Sequence, residues 1–370
     1  MRHVALLIPG LDRIGGAERQ VLLLARGLRR RGWQISVVAL SGSGAAAVEE
    51  LRAEGIAFLS LGMRKGLADP RGWVRFHRWV CRERPDVLHA HLPHAAWLAR
   101  WSRVAARGPA VIDTLHSSAT GGLGRRLGYR LSARLPDCVT VVSQAAADAH
   151  LRGGMVRADK LIVLPNGVDT ESYRPDAAVR EQMRRELGLG DAFLWLAAGR
   201  LEAVKDYPTL LQAMTGVPEP ARLSIAGAGP LEGELRALAA RLGIEERVRF
   251  AGFVPDIARW MQAGDGFVLS SLWDGLPMAL LEAAACGVPA VASDVPGVRE
   301  AVDEGETGFL ARSGDPAALA AAMRRLMQVS PGERRAIGAN ARRLAVESFS
   351  LDAVLDRWER LYGEAIAAHR

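Results

Sequence analysis

Short apolar runs alternate with helix-length segments along nearly the whole chain, and this alternation leaves few folds open. The first series of runs is His3–Ile8, Gln34–Leu40, Ile56–Leu61, Val87–Ala90, Val111–Leu115, Val139–Val142 and Leu161–Leu164. Each is brief and rich in β-branched residues or leucine, as a strand buried on both faces must be. Between the first two lies Gly16–Arg31, where Val21, Leu22, Leu24, Ala25 and Leu28 recur at helical spacing. After Asn166-Gly167-Val168-Asp169 a second series begins, with runs Phe193–Ala198, Leu223–Ala226, Val248–Phe250, Gly266–Leu269 and Pro289–Ala292. Helix-length segments there include Pro230–Leu242 and Pro277–Cys286. The pattern predicts parallel sheets with helices on both faces, as two doubly wound α/β domains in tandem. The final segment, 350–370, carries Leu351, Val354, Leu355, Trp358, Leu361 and Tyr362 on one helical stripe that can cap either domain.

The length of 370 residues fits two domains at roughly 150 residues each. A hydrophobic share of 49% excludes a disordered chain. The longest uncharged stretch, Gly32 to Val48, is interrupted by Ser and Gly and falls short of the ~18 apolar residues of a membrane span. The apolar run that ends at Asp12 is short for a signal peptide, so a cytoplasmic protein is expected. Cys81, Cys138 and Cys286 show no CxxC spacing and read as buried small residues in a reducing compartment.

Charge is unevenly distributed. Residues 1–165 hold 25 Lys and Arg against 12 Asp and Glu, whereas residues 166–370 hold 23 against 29. The net +7 of the chain therefore belongs to its first half. Such a half suits an anionic partner, either a membrane surface, a phosphorylated lipid or nucleic acid. General enrichment in Arg is the other reading, since only Lys65, Lys160 and Lys205 are lysines.

Ligands of doubly wound domains bind at the carboxyl ends of the strands, so residues just after each run are the candidates. Gly15 and Gly16 follow the first run and open a helix, where small residues let a backbone approach a phosphate. The segment is not GxGxxG and no acidic residue follows the second run suitably, which disfavours a dinucleotide cofactor. A glycine pair at such a turn can also be purely structural. His89, His91, His94 and His116 cluster in sequence, but no carboxylate or Cys completes a usual metal set, and no metal is expected. His116 alone sits where a run ends at a rim. Gly199-Arg200-Leu201 and Lys205 follow another run, and two cations five residues apart can converge on one anion. The segment Ser270–Ala283 ends a strand, passes Gly275-Leu276-Pro277 and enters a helix. Asp274 lies before that helix and Glu282 two turns inside it, where a carboxylate among Ala and Leu is costly unless it serves a ligand.

Taken together, Gly15-Gly16-Ala17-Glu18, Pro165-Asn166-Gly167-Val168-Asp169, Gly199-Arg200-Leu201 with Lys205, Gly227-Ala228-Gly229-Pro230 and the 270–287 segment resemble one family. It is glycosyltransferase family four, the retaining GT-B enzymes of bacterial surface-polysaccharide and glycolipid synthesis. The resemblance implies two facing doubly wound, Rossmann-like domains: an acceptor-binding domain, 1–168, to which the C-terminal helix, 352–370, crosses back, and a donor-binding domain, 169–351. It implies that Arg200 and Lys205 grip the donor diphosphate and that Glu282 receives ribose hydroxyls. Gly275, Leu276, Pro277 and Met278 would meet sugar and phosphates, with Gly199 beside them. Gly15 and Gly16 would approach the diphosphate from the other domain, and His116 would stand near the transferred sugar. Asp274 stands where the family usually has Glu, one methylene longer.

The expected reaction is transfer of a hexose or N-acetylhexosamine from a nucleotide-diphosphate sugar, a UDP-sugar before GDP-mannose, to a glycan or lipid-linked acceptor with retained anomeric configuration. No cofactor or metal is expected, since two cations and a helix N-terminus can meet the departing charge. A nucleotide-sugar epimerase on the same plan and a non-catalytic partner in glycan assembly are the alternatives. Nucleic acid is not an expected partner, because aromatic residues make up 6% of the chain and no helix-turn-helix or RNA-recognition pattern occurs. Arg29-Arg30-Arg31, Arg64-Lys65 and Arg125-Arg126, with Trp73, Trp79, Trp97 and Trp101, suggest a basic and aromatic surface that meets the inner face of the cell membrane.

Overall fold

The computed structural model describes residues 2–12, 14–64, 69–105, 108–117 and 122–369. Lys65, singled out above with Arg64, lies outside the described residues. The chain divides into two compact units, Met1–Gly167 with Leu351–Arg370, and Val168–Ser350.

In the first unit seven strands form one parallel sheet: β1 (His3–Ile8), β2 (Gln34–Ala39), β3 (Ala57–Ser60), β4 (Val87–His91), β5 (Ala110–Leu115), β6 (Cys138–Val141) and β7 (Leu161–Val163). Their order is β3-β2-β1-β4-β5-β6-β7. Every β1 residue is buried, and its side chains alternate between two cores. Val4, Leu6 and Ile8 join the helix Gly16–Arg30 on one face, while Ala5 and Leu7 join Phe76, Trp79 and Val80 on the other.

The helix Leu351–Ala368 belongs to this unit. Its Leu351, Val354, Leu355, Trp358, Leu361, Tyr362 and Ile366 enter the core beside the helix Gly16–Arg30. Gly27 permits the close crossing, because a Cβ there would lie 2.5 Å from Leu355 Cδ1. Arg31 then bonds to Asp352, Asp356 and Glu359, and Trp33 Nε1 donates to Glu359 Oε1 at 2.6 Å.

The second unit holds six parallel strands: β8 (Phe193–Ala198), β9 (Ala221–Ala226), β10 (Val248–Gly252), β11 (Gly266–Leu269), β12 (Ala290–Ser293) and β13 (Gly308–Ala311), in the order β10-β9-β8-β11-β12-β13. The runs read from sequence coincide with β1 to β12 to within one or two residues. The strand β13 was not anticipated; its four residues, Gly-Phe-Leu-Ala, follow no recognisable helix and owe their extension to pairing with β12. Trp195, Val268, Val291 and Phe309 pack at the centre of this unit's core. Cys138 and Cys286 are buried as expected, but Cys81 is exposed. Its helix, Pro70–Glu83, buries the stripe of Gly72, Phe76, Trp79 and Val80 and turns Cys81 away from it.

Candidate active site

Both sheets reverse direction once. In the second unit the chain leaves β8 towards β9 and β10, then returns on the other side of β8 as β11. Loops diverge at such a point and open a crevice at the carboxyl ends of the two strands. The loop after β8 runs through Gly199 to Asp206, and the loop after β11 runs from Ser270 to Pro277. They are sewn together: Leu272 N–H donates to the Val204 carbonyl at 2.9 Å, and Ser270 Oγ donates to the Lys205 carbonyl at 2.8 Å.

Across this seam Lys205 Nζ donates to Asp274 Oδ2 at 2.7 Å, both side chains being about one-fifth exposed at 21% and 18%. Lys205 closes a short 3-10 turn, Ala203–Lys205, and the next residue, Asp206, adopts φ 45°. That left-handed backbone is tolerable for Asp, whose Oδ1 also accepts the Thr209 N–H at the start of the helix Tyr207–Thr215. Tyr207 Oη donates to the Gly199 carbonyl at 3.1 Å. Burial, with the Asp274 charge, raises the Tyr207 hydroxyl far above its usual range and keeps it a donor. A small hollow between Ala198, Lys205, Tyr207, Leu269 and Ser270 lies at the switch point.

Glycines bring the backbones of these loops into contact. Gly227 has φ 151°, and a Cβ there would overlap the Gly199 carbonyl oxygen. A Cβ on Gly229 would stand 2.5 Å from the Leu201 carbonyl oxygen, and one on Gly297 would overlap that of Gly275. The segment Gly275–Met278 is buried and leads into the helix Met278–Ala285, whose first turn closes on the Pro277 carbonyl. The first amides of a helix have no acceptor of their own and point at whatever lies before it. Glu282 is 2% exposed within this helix. Burial pushes the neighbouring Cys286 thiol up to about 12, with the Glu282 charge adding to the effect.

In the first unit the switch point falls between β1 and β4. His91 ends β4, and Leu92 beyond it is forced to φ 70°, an outlier for a leucine. His91 Nδ1 meets His116 Nε2 at 3.0 Å. His89 shares hydrogen bonds with Tyr362 Oη at 2.7 Å and Thr114 Oγ1 at 2.6 Å, and Thr114 continues to Thr140. Burial holds His116 down at about 4, and holds His89 and His91 well below the usual histidine range. All three rings are neutral at pH 7. Among the described residues no group of His, Cys, Asp and Glu could hold a metal ion.

Residues 14–172 match the family described as Glycosyltransferase Family 4, and residues 179–344 match Glycosyl transferases group 1. The phosphatidyl-myo-inositol mannosyltransferase of Mycobacterium leprae is 30% identical, with 97% of this chain and 96% of that protein covered. The chain is a family-four glycosyltransferase. A D-inositol 3-phosphate glycosyltransferase of Xylanimonas cellulosilytica is 29% identical over 96% of this chain and 93% of its own. Among solved structures, Anabaena HepE in complex with UDP and glucose shares the fold with a TM-score of 0.88 at 23% identity, over 98% of this chain and 100% of that one. Both units are Rossmann-like, and the architecture is GT-B.

The glycosyltransferase brings Lys205, Asp274, Gly199, Gly275, Leu276, Pro277, Met278 and Glu282 to one end of one sheet. Arg200 is 65% exposed and pairs with Glu202 Oε1 at 3.0 Å, so it and Lys205 each hold a carboxylate of their own. The Gly15 N–H donates to Glu18 Oε2 at 3.0 Å, so the third residue of the helix reaches back to the amide that precedes it. Gly16 is exposed. The basic and aromatic surface contracts as well, since Arg31 is spent on the C-terminal helix and Trp79 is buried against Phe76 and His3. Sequence reasoning missed three exposed apolar side chains at strand ends, Phe253, Leu272 and Trp273. Phe253 directly follows β10, and reading that strand to Gly252 would have placed it at the rim.

Proposed function

We propose that this glycosyltransferase transfers a hexose or N-acetylhexosamine from a nucleotide-diphosphate sugar, with retention, to a glycan or lipid-linked acceptor at the inner face of the cell membrane, in bacterial polysaccharide or glycolipid synthesis. The observation that carries the proposal is the Lys205–Asp274 pair across the switch point of the second sheet. It sets one cation and one acceptor of hydroxyl protons side by side, as a sugar joined to a diphosphate requires.

The bond from the sugar C1 to the diphosphate oxygen breaks, and the released oxygen takes the proton of the incoming hydroxyl. The new glycosidic bond then forms on the face the diphosphate left. Lys205 and Arg200 offset the growing negative charge, and the first amides of the helix Met278–Ala285 add their dipoles. Asp274 accepts from a sugar hydroxyl and Glu282 from the ribose. These groups meet the charge without a divalent ion, and His116, neutral at pH 7, bonds the sugar without competing as a cation.

A UDP-sugar is proposed as donor; neighbours of the same fold were solved with UDP and UDP-glucose, while a mannosyltransferase stands among the relatives. Relatives named for phosphatidyl-myo-inositol and D-inositol 3-phosphate support an acceptor that carries phosphate, in keeping with the basic first half.

The test is a thermal-shift screen of UDP- and GDP-sugars, followed by nucleotide release with and without acceptor in EDTA. Stabilisation by UDP-sugars and acceptor-dependent release in EDTA are expected, with the product's anomeric proton matching the donor's. Strict dependence on a divalent ion overturns the mechanism. Release of nucleotide without any acceptor, with an epimerised sugar, overturns the function.

A further inference from the structure

The helix Leu123–Leu131 is the first in its unit to expose leucines in a row. Leu123, Leu127 and Leu131 recur at i, i+4 and i+8 and are 83%, 58% and 71% exposed. Residues at that spacing form a single stripe along a helix. Arg126 and Arg130, also four apart, run beside it, with Arg125 and Arg134 at its ends. No Asp or Glu occurs between Asp113 and Asp137, and none of these four arginines forms an ion pair among the described residues. Arg26, Arg31, Arg100, Arg103 and Arg157 of the same unit all do.

The other side of the helix is anchored. Tyr129 is fully buried beneath the Arg100 guanidinium, and a Cβ on Gly128 would press 2.8 Å from the Trp97 ring. Ser132 Oγ accepts from Arg100 Nη1 at 2.9 Å. One turn beyond Trp97, Trp101 is 46% exposed. The leucines are therefore exposed on a helix whose orientation is fixed, not on one that has failed to pack.

We propose that this helix is the membrane-docking element of the glycosyltransferase, lying in the plane of an anionic bilayer with its leucines among the acyl chains. Arg126, Arg130 and Arg134 meet lipid phosphates at headgroup level, with Trp101 nearby, while Arg125 shares the anchored side with Tyr129. Apolar area combined with unpaired cations is what an interfacial helix needs, and neither alone gives stable binding. A second protein chain would match the leucines but leave the cations beside them without partners. The inference rests on the reading that the enzyme works at the membrane, and it names the surface that does so. Among the described residues no helix is long and apolar enough to cross a membrane.

The test is co-sedimentation with vesicles of phosphatidylcholine alone or mixed with phosphatidylglycerol. Wild-type enzyme should follow the anionic vesicles, with binding that falls as salt rises. Leu123→Ser/Leu127→Ser/Leu131→Ser should weaken that partition by at least tenfold, and Arg126→Ser/Arg130→Ser by roughly tenfold or more, since each surface cation contributes about fivefold. Both variants should keep the wild-type Tm and the wild-type shift on adding UDP. Unaltered vesicle binding by the leucine variant overturns this inference while the membrane reading stands. Wild-type enzyme that ignores anionic vesicles overturns both, and a dimer that the leucine variant dissolves would identify a second copy as the occupant.

Discussion

Replacing Lys205 by Ala separates its pairing with Asp274 from the charge-stabilising role proposed for it. In the free enzyme Nζ lies 2.7 Å from Asp274 Oδ2, a gross attraction of about 6 kcal/mol at an effective dielectric of ~20. Desolvation cancels most of it, because both side chains remain about one-fifth exposed, and the net cost to stability should be about 1–2 kcal/mol. Catalysis is affected differently. As the sugar–oxygen bond breaks, negative charge builds on the departing diphosphate. A cation ~4 Å away gains about 4 kcal/mol per unit charge at the same dielectric. If half that charge has formed in the transition state, Lys205 contributes ~2 kcal/mol, or about 30-fold in kcat.

The Lys205→Ala enzyme carries a further penalty, since Asp274 then faces the diphosphate without its partner. Lys205→Ala/Asp274→Asn should therefore bind the donor more tightly than Lys205→Ala, and the two losses should be less than additive. Lys205→Arg should keep most activity. The assay is initial-rate nucleotide release across donor concentrations, with kcat and KM resolved for wild type and the four variants, Lys205→Ala, Lys205→Arg, Asp274→Asn and the double variant, and Tm recorded for each. A fall in kcat below threefold for Lys205→Ala would refute the argument. So would an Asp274→Asn enzyme that loses as much as the double variant while Lys205→Ala loses little, for then the lysine merely positions the carboxylate.

Gly227→Ala should lower Tm by several degrees and abolish the UDP-induced shift, because the new methyl overlaps the Gly199 carbonyl in a backbone with φ 151°; a cost of about 2–4 kcal/mol is expected. Gly233→Ala, where nothing lies within 4 Å, is the control and should be neutral or stabilising by ~0.5–1 kcal/mol. Stability should also fall as pH drops from about 6.5 towards 4. Burial holds His116 at about 4 in the folded chain while the unfolded chain takes up the proton near ~6.5, so acid favours unfolding by up to ~1.4 kcal/mol per pH unit for each such histidine. Urea midpoints at pH 7, 6 and 5 should show that slope, shallower in His91→Gln, and a flat profile would contradict the burial argument.

The fold was largely legible because its information is one-dimensional. A parallel strand buried on both faces must be a short apolar run, and β1 to β12 were found that way. The strand β13 escaped because its four residues, Gly308–Ala311, are extended by their partner and not by their own composition. For the site, position was legible and pairing was not. Gly199, Lys205, Asp274 and Glu282 could each be placed after a strand or inside a helix, since the chain order fixes which loops reach the carboxyl edge. That Lys205 would meet Asp274, and Arg200 turn outward to Glu202, depends on a left-handed Asp206 and on glycine contacts 28 residues apart in the chain, between Gly199 and Gly227. The bond from Gly15 N–H to Glu18 shows the same limit from the other side. Glycine at a helix start offers an amide to any anion within reach, and Glu18, three residues on, supplies one from within the chain. A ligand at that amide has to displace a carboxylate that the helix itself holds in place, and spacing along the chain does not reveal which of the two the amide meets.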